Sequence, residues 1–294
     1  MVAPYIKLST NDLAYISGII DAEGSFTIQK GIGKRQNHKV MVRQYIMGIK
    51  TTDKIIIPHL VKLLGKKSTG NDYQDTIKIT SKRHLQYLIP QLLPYLQTKY
   101  EQASNVLSAI NIKGSNTTIY TPEESNRWEK LYQRNKAINA RGKDRIEYGG
   151  NPNHTFHHAW FAGLLDGGGS FNSSVFIHSK TKKSYKMCLN ICLTHKHTME
   201  YIGKIYNKEV KNVNDKRPTR SKSYRIRFLT NHIIKILPNI IPFLILKKEI
   251  AQKMLYVCET RLKHIGRTNS EEYKNANLVA MEMRKMNLRI VNKD

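Results

Sequence analysis

Two short stretches of the chain carry residues that could hold a divalent cation. One reads ISGIIDAEGSF from position 16, and the other reads FAGLLDGGGSF from position 161. Each is an apolar run that ends in an acid, Asp21 or Asp166, and a glycine-bounded turn then leads into Ser-Phe. The first stretch adds a second carboxylate, Glu23, where the second has Gly168. Carboxylate oxygens are the ligands that Mg²⁺ and Ca²⁺ prefer, so the pattern indicates metal-assisted chemistry that is unequal between the two copies.

Small residues inside both stretches predict two helices that approach each other closely. Gly18 lies in the first apolar run, and Gly163 lies at the matching place in the second. Two helices without side chains at these positions can pack at backbone distance. Their C-terminal ends would then meet near a pseudo-twofold axis, with an acid at each end.

The duplication continues beyond the two stretches. The segment PYLQTK ends in Lys99 and the segment PFLILK ends in Lys247, at nearly equal distances from the first and the second stretch. A helical pattern follows each lysine. Recurrence of two motifs at matched spacing is typical of an internally duplicated protein with pseudo-twofold symmetry.

The periodicity of apolar residues predicts an α+β protein with the order α-β-β-α-β-β-α-α in each half. We predict a hairpin tip at Gly31–Arg35 in the first half. The predicted domains are an N-terminal unit at 1–110, a linker at 111–156, a C-terminal unit at 157–266 and a tail at 267–294. The linker is rich in Asn, Thr, Arg and Gly around one helical piece. The tail is expected to be an appended helical or loose segment that the first half lacks.

The charge balance points to a polyanionic partner. The chain has 49 Lys and Arg against 22 Asp and Glu, a formal net charge of +27. Self-repulsion of this size is costly unless a counter-charge is bound, and nucleic acid is the obvious source.

We expect no membrane span and no import or secretory signal. Three cysteines are too few for a disulfide framework, which favours a reducing compartment, and the abundant Lys, Asn, Ile and Tyr fit an organellar genome, mitochondrial or chloroplast.

The strand after each motif is predicted to present one apolar face and one hydrogen-bonding face. A two-stranded ribbon of this kind fits the major groove of duplex DNA, where polar side chains and arginine read base edges and lysines bind phosphates. Tyrosines are scattered along the chain, so stacking on single strands is less favoured. The residues predicted to contact DNA are Ser25, Thr27, Gln29, Lys30, Lys34, Arg35, Lys39 and Arg43 in the first half, and Ser170, Asn172, Ser174, His178, Lys180, Lys186, Arg217, Arg220, Lys222, Arg225 and Arg227 in the second.

The paired motifs resemble those of the LAGLIDADG homing endonuclease family in its single-chain form. The resemblance covers roughly residues 8–110 and 155–262. It implies two pseudo-symmetric αββαββα units that form a DNA-binding saddle, with the motif helices at the central interface. It further implies a monomer that cleaves both strands of a long, nearly palindromic DNA target with Mg²⁺, and that binds Ca²⁺ without cleaving.

The resemblance also implies roles for individual residues. The implied metal ligands are the Glu23 carboxylate, the backbone carbonyls of Ala22 and Gly167, and the acids Asp21 and Asp166, although these two acids more often brace the helix end. The implied catalytic positions are Glu23, Gly168, Lys99 and Lys247. The water-ordering glutamine of the family has no match here, and Ile46 and Cys192 stand at what we take to be its two positions.

Gly168 departs from the family pattern because glycine offers no carboxylate. Three interpretations follow. An active enzyme has been disabled by substitution, or the protein is an intron-encoded maturase that uses its basic surface on RNA, or it nicks one DNA strand with Glu23 alone. A DNA-binding regulator without chemistry is a further alternative.

Overall fold

Buried and exposed side chains alternate along the strand that follows the first motif. In the computed structural model, Phe26 and Ile28 are buried, whereas Gln29 is exposed. This period of two places an apolar face against helices and leaves the other face polar.

The residues that the structure describes are 7–35, 38–71, 73–112, 120–140, 142–177, 183–213, 222–265 and 269–291.

The described residues form two compact units, each with one four-stranded antiparallel sheet. The first unit includes the chain up to Gly167, and the second includes 168–213 and the chain from Ser223 onward. The α+β class predicted from the periodicity is confirmed.

The first unit begins with the helix that carries the first motif. Ser9 caps this helix, because its side chain accepts a hydrogen bond from the Asp12 backbone N–H while the Asp12 carboxylate accepts one from Ser9. The elements are α1 (Thr10–Glu23), β1 (Gly24–Arg35), β2 (His38–Thr51), α2 (Ile56–Leu64), β3 (Ser68–Gly70), β4 (Asp75–Ile79), α3 (Lys82–Leu92), α4 (Tyr100–Asn111), α5 (Pro122–Ile138), a 3₁₀ turn (Gly142–Asp144) and α6 (His158–Gly168), whose last residue opens the second unit. The sheet order is β1-β2-β4-β3.

The second unit repeats the same order of strands and helices. Its elements are β5 (Gly169–Ile177), β6 (Lys183–Leu193), α7 (Lys196–Tyr206), β7 (Lys211–Val213), β8 (Ser223–Phe228), α8 (Thr230–Ile240), a 3₁₀ turn (Ile241–Phe243), α9 (Lys248–Lys263) and α10 (Glu271–Val291). The sheet order β5-β6-β8-β7 matches that of the first unit. The predicted duplication is therefore confirmed at the level of topology.

The predicted hairpin tip at Gly31–Arg35 is wrong. The ladder between β1 and β2 continues through Gly33, which pairs with Val40, to Arg35, which pairs with His38. Glycine tolerates an extended backbone as readily as a turn, so Gly31 and Gly33 did not mark the end of the strand.

The predicted linker and tail each contain a packed helix. In the first unit α5 packs against α4 and β1, and in the second unit α10 packs against α9, β5 and β6. The indole N–H of Trp128 on α5 donates to the Tyr45 hydroxyl of β2 at 3.0 Å. We call α5 and α10 the accessory helices. The expectation that the tail has no counterpart in the first half is therefore wrong.

No helix among the described residues is long and apolar enough to cross a membrane.

Candidate active site and nucleic-acid interface

The motif helices α1 and α6 contact each other through their glycines. A Cβ added to Gly18 would lie 2.0 Å from the carbonyl oxygen of Trp160, and one added to Gly163 would lie 2.2 Å from that of Tyr15. Both contacts are with backbone atoms, which have no freedom to move aside. The close approach predicted from the small residues is confirmed.

Asp21 braces the end of α1 from a buried position. Its carboxylate accepts hydrogen bonds from the backbone N–H groups of Gln97 at 2.7 Å and Lys99 at 2.8 Å. The indole N–H of Trp160 on α6 donates to the same carboxylate at 2.9 Å. Burial raises the pKa of Asp21 to about 6, although these three hydrogen bonds act to lower it. Asp21 thus joins α1 to the start of α4 and to α6.

Asp166 makes the reciprocal contact. The Tyr15 hydroxyl of α1 donates to the Asp166 carboxylate at 2.7 Å, and both side chains are buried. Burial, reinforced by the nearby Asp166 charge, raises the pKa of Tyr15. Each motif acid therefore accepts a hydrogen bond from an aromatic residue on the other helix. These contacts match the bracing role and do not support a metal-ligand role for the two acids.

Tyr15 and Trp160 were missed in the sequence analysis. Each lies six positions before its own motif acid, so the two aromatic residues occupy equivalent places in the two copies. A side-by-side comparison of the copies, extended toward the start of each helix, would have found them.

Glu23 has surroundings opposite to those of Asp21. It is the last residue of α1, and its side chain is exposed. Beside it, Gly167 of α6 packs against the side chains of α1, because a Cβ added to Gly167 would lie 2.5 Å from the Ala22 Cβ and 3.3 Å from the Glu23 Cγ. Gly168 follows as the final residue of α6.

Lys99 lies at the start of α4, where it is half-buried. Burial, reinforced by the Arg145 guanidinium, lowers the pKa of Lys99 to about 8, against the opposing effect of Asp21 and Glu23. The predicted catalytic lysine and the exposed motif carboxylate are thus within electrostatic reach of each other.

Arg145, in the predicted linker, is a second cation beside Lys99 that the sequence analysis missed. Its guanidinium donates to the Tyr148 hydroxyl, which also accepts a hydrogen bond from the Gln102 side chain of α4 at 3.0 Å. This network joins the linker to the helix that begins at Lys99. No motif surrounds Arg145, so only tertiary contact reveals its position.

Lys247 occupies the equivalent place in the second unit, at the start of α9. Its ammonium group donates to the Gly169 carbonyl at 2.7 Å. The structure therefore places the Lys247 ammonium group against Gly169, the residue that directly follows Gly168. Gly168 is the position that lacks a carboxylate.

The oxygens around Glu23 fit a divalent cation only together with a substrate. The described part of the chain contains no group of three or more His, Cys, Asp or Glu residues that could hold a metal. One exposed carboxylate and the adjacent carbonyls of Ala22 and Gly167 remain as hard donors. Mg²⁺ commonly takes one or two protein carboxylates and completes its shell with water and phosphate oxygens, so this donor set suits a site that a phosphate-bearing ligand completes.

The polar face of the first sheet carries several of the residues predicted to contact DNA. Ser25, Thr27 and Gln29 lie on the face of β1 opposite the buried residues. The ladder adds Gln44 and Lys50 of β2 and Lys78 of β4 to the same face, all with exposed side chains. These last three were missed because the partner strands were not placed in register.

Lys30 and Arg43 lie on the other face of this sheet, against α5. They pair with each other across β1 and β2, in line with the buried pairs of that face. Lys30 forms an ion pair with Glu129 at 3.0 Å, and the Arg43 guanidinium lies 3.7 Å from the centre of the Tyr120 ring. The structure thus does not bring these two cations to the polar face. The backbones of Lys34, Arg35 and Lys39 belong to β1 and β2.

The polar face of the second sheet carries both amides and cations. Ser170, Asn172 and Ser174 of β5 lie opposite the buried Phe171 and Ser173. The predicted residues that share this face are Lys186, Arg225 and Arg227, and the register adds Asn190 and Cys192. Lys222 is exposed just before β8. His178, Lys180, Arg217 and Arg220 lie outside the described residues.

The register also corrects one pairing of the two copies. Ile46 stands opposite Thr27 in the first sheet, and Cys188 stands opposite Asn172 in the second. Thr27 and Asn172 are equivalent, so Cys188 is the counterpart of Ile46, and Cys192 is not.

Two glycine-packed motif helices, each leading into a four-stranded antiparallel sheet, define the LAGLIDADG fold in its single-chain form. The structure is similar to that of the LAGLIDADG homing endonuclease I-SmaMI bound to cleaved DNA, with a TM-score of 0.70 and 17% identity over 95% of this chain and 98% of that one. It is also similar to I-SmaMI bound to uncleaveable DNA, with a TM-score of 0.68 and 18% identity over 94% of this chain and 100% of that one. The LAGLIDADG meganuclease I-CpaMI bound to uncleaved DNA gives a TM-score of 0.61 and 18% identity over 92% and 98% of the respective chains.

A further solved structure shows I-SmaMI on an uncleaved DNA target in the presence of calcium ions. No family profile matches the sequence, and no curated protein matches it. The resemblance drawn from the two motifs is confirmed at the level of the fold.

Proposed function

We propose that the protein is a site-specific double-stranded DNA homing endonuclease that acts as a monomer. The observation that carries the proposal is the reciprocal packing of α1 and α6, which ends at Ala22, Gly167 and the exposed Glu23. A polar sheet face and a half-buried lysine belong to each of the two copies. The similar structures, which are bound to DNA, support the same function.

Glu23 supplies the carboxylate of the proposed centre, with the carbonyls of Ala22 and Gly167 beside it. A bound divalent cation, proposed to be Mg²⁺, would lower the pKa of an attacking water and neutralise charge on the phosphate. Lys99 is positioned to stabilise the negative charge that develops during hydrolysis, and Lys247 has the equivalent place in the second unit. Asp21 and Asp166 hold the helix ends in register and carry no substrate contact.

Gly168 is proposed to impair cleavage. The position equivalent to Glu23 lacks a charged oxygen, so the second copy cannot hold a cation in the way the first can. Removal of a single electrostatic group from an active centre typically slows catalysis by about 10²- to 10³-fold. DNA binding is proposed to persist, because the polar faces and their cations do not depend on that residue.

The decisive experiment restores the missing carboxylate. A target is first selected from a randomised duplex pool in Ca²⁺, and the Gly168→Asp variant is then assayed on a plasmid carrying that target in Mg²⁺. Linearisation by the variant and slow or absent cutting by the parent chain are expected. Persistent inertness of Gly168→Asp together with tight binding of intron RNA would overturn the proposal in favour of a splicing cofactor.

A companion variant tests the role of Glu23. Glu23→Gln in the Gly168→Asp background should abolish cutting and leave DNA affinity within about twofold, because the amide keeps the size and loses the charge. Glu147→Gln, an exposed carboxylate in the predicted linker, is the matched control and should cut normally. Full cutting by Glu23→Gln would show that Glu23 does not act at the centre.

A further inference from the structure

One row of the second sheet contains an arginine that another side chain orients. The row consists of Ser170 on β5, Asn190 on β6 and Arg227 on β8, at the end of the sheet nearest the second motif. The Arg227 Nε–H donates to the Asn190 side-chain oxygen at 3.3 Å, and Arg227 is exposed on the polar face. This contact uses the Nε–H of the guanidinium and neither of its two terminal amino groups.

Asn190 is itself held in place. Its side-chain oxygen also accepts a hydrogen bond from the Cys188 thiol at 3.1 Å, two residues along the same face of β6. An arginine that must order itself on binding loses rotamer entropy. Prior orientation by Asn190 reduces this loss and fixes the direction in which the guanidinium can form a paired contact.

The first unit has a different pair at the equivalent place. There Gly48 of β2 stands between Ser25 and Lys78, as Asn190 stands between Ser170 and Arg227. Glycine has no side chain with which to orient a neighbour, and a lysine ammonium is a point charge on a flexible stem. The two sheets therefore share a topology and differ in the chemistry of this row.

We propose that Arg227, oriented by Asn190, reads a guanine in the DNA half-site bound by the second unit, whereas Lys78 adds charge without base preference in the first. The inference rests on the proposed DNA-binding function. A guanidinium pairs with the O6 and N7 atoms of guanine in the major groove, which is the commonest specific contact between proteins and DNA. We therefore expect a preference for guanine at one position of the half-site bound by the second unit. The equivalent position of the half-site bound by the first unit should show no such preference.

The test compares base-preference profiles. The parent chain and its variants each select duplexes from one randomised pool in Ca²⁺, and the enriched sequences are counted. Arg227→Lys, which reproduces the residue of the first unit, should reduce the preference for guanine at one position by at least about fivefold. Asn190→Ala should weaken the same preference and leave the base profile at the other positions unchanged, an effect that a loss of folding would not produce.

Lys78→Ala is the matched control in the first unit. It should lower affinity and reduce the salt slope by about one, with the base profile unchanged. The double variant Gly48→Asn with Lys78→Arg transplants the pair, and it should create a new guanine preference in the other half-site. A Cβ at Gly48 would lie 3.3 Å from the Ser25 hydroxyl, a contact that a small shift of this side chain relieves.

The outcomes distinguish a failure of the proposed DNA-binding function from a failure of the role assigned to Arg227. If the parent chain enriches no duplex, the proposed DNA-binding function fails and this inference fails with it. If the parent chain enriches a defined site but Arg227→Lys and Asn190→Ala retain its full base profile, only the assignment of Arg227 is overturned.

Discussion

At the C-terminal end of α1, two acids that are two residues apart have opposite surroundings. Asp21 is 2% exposed and accepts three hydrogen bonds, whereas Glu23 is exposed at the helix end. The spacing explains the difference, since residues two apart on a helix face different directions. One acid therefore organises the helix ends, and the other is exposed where α1 ends.

The glycines of the motif helices are predicted to be intolerant of any side chain. Gly18→Ala or Gly163→Ala places a Cβ against a carbonyl oxygen of the facing helix. The helices would have to separate to relieve this contact, which would break the hydrogen bonds from Trp160 to Asp21 and from Tyr15 to Asp166. We expect a loss of about 3 kcal/mol or more in the free energy of unfolding, measured by urea denaturation. Gly31→Ala, where a Cβ would meet nothing within 4 Å, is the control and should be near neutral. Equal effects at Gly18 and Gly31 would contradict this packing.

His154 is predicted to make stability fall in mild acid. Burial lowers its pKa from 6.5 to about 4, although a 2.8 Å hydrogen bond to the Tyr95 carbonyl opposes the shift. The unfolded chain then binds the proton more readily than the folded chain. The contribution of neutral His154 to the free energy of unfolding is therefore complete above pH ~6.5 and is lost as the pH falls toward ~4. The loss reaches at most about 3 kcal/mol.

His154→Gln should remove this fall, so its unfolding free energy should rise relative to that of the parent chain as the pH falls from 6.5 to 4, measured by chemical denaturation. The parent profile alone does not isolate His154, because the raised pKa of Asp21 contributes with the opposite sign in this range. Parallel profiles of His154→Gln and the parent chain would show that the folded structure does not lower the pKa of His154.

At the scale of elements, an arginine joins each accessory helix to the rest of its unit. Arg43 of β2 stacks on Tyr120 and lies 4.8 Å from the Trp128 ring centre of α5. In the second unit Arg261 of α9 donates to the Asn277 side chain of α10 at 2.6 Å and to the Tyr185 carbonyl of β6. The two arginines come from different elements, so the arrangement is similar without being a copy.

Removal of α10 is predicted to destabilise the second unit selectively. A chain that ends at Ile265 would expose apolar surface that Ala276, Ala280 and Met283 now bury against it. Hydrogen exchange should accelerate in β5 and β6 and stay near the parent rate in β1 and β2. A matched control ends at Val291, the last residue of α10, and should behave as the parent chain does. Unchanged protection of β5 in the shorter chain would mean that α10 contributes nothing to the unit.

At the scale of the whole molecule, the net charge of +27 favours contacts with phosphates, and the number of these contacts sets how binding responds to salt. Release of counterions from DNA makes affinity fall with ionic strength, by about 10³- to 10⁵-fold between 50 and 200 mM salt for 6 to 10 phosphate contacts. We expect a fall in this range for the target duplex, measured by fluorescence anisotropy in Ca²⁺. A flat salt profile would remove phosphate contacts from the proposed mode of binding.

Much of the architecture was predictable because it depends on local patterns. The order of helices and strands follows from apolar periodicity, and the duplication follows from two motifs at matched spacing. The polar faces of β1 and β5 follow from alternation along single strands. Predictions failed where a residue with several permitted conformations carried the signal, as at Gly31 and Gly33, and where a helix such as α10 is held by distant partners.

The candidate site divides in the same way. Glu23, Lys99 and Lys247 were predicted from motifs and stay predictions. Tyr15, Trp160 and Arg145 were not predicted, because their contacts join segments far apart in the chain.

By itself the sequence determined that the chain is duplicated, that it is strongly basic, and that one motif lacks the carboxylate of the other. Only the tertiary structure decided which acids are buried, which cations share a face with Arg227, and which are held by α5. The physical reason is that composition and periodicity depend on neighbours along the chain, while burial, register and hydrogen bonding depend on neighbours in space.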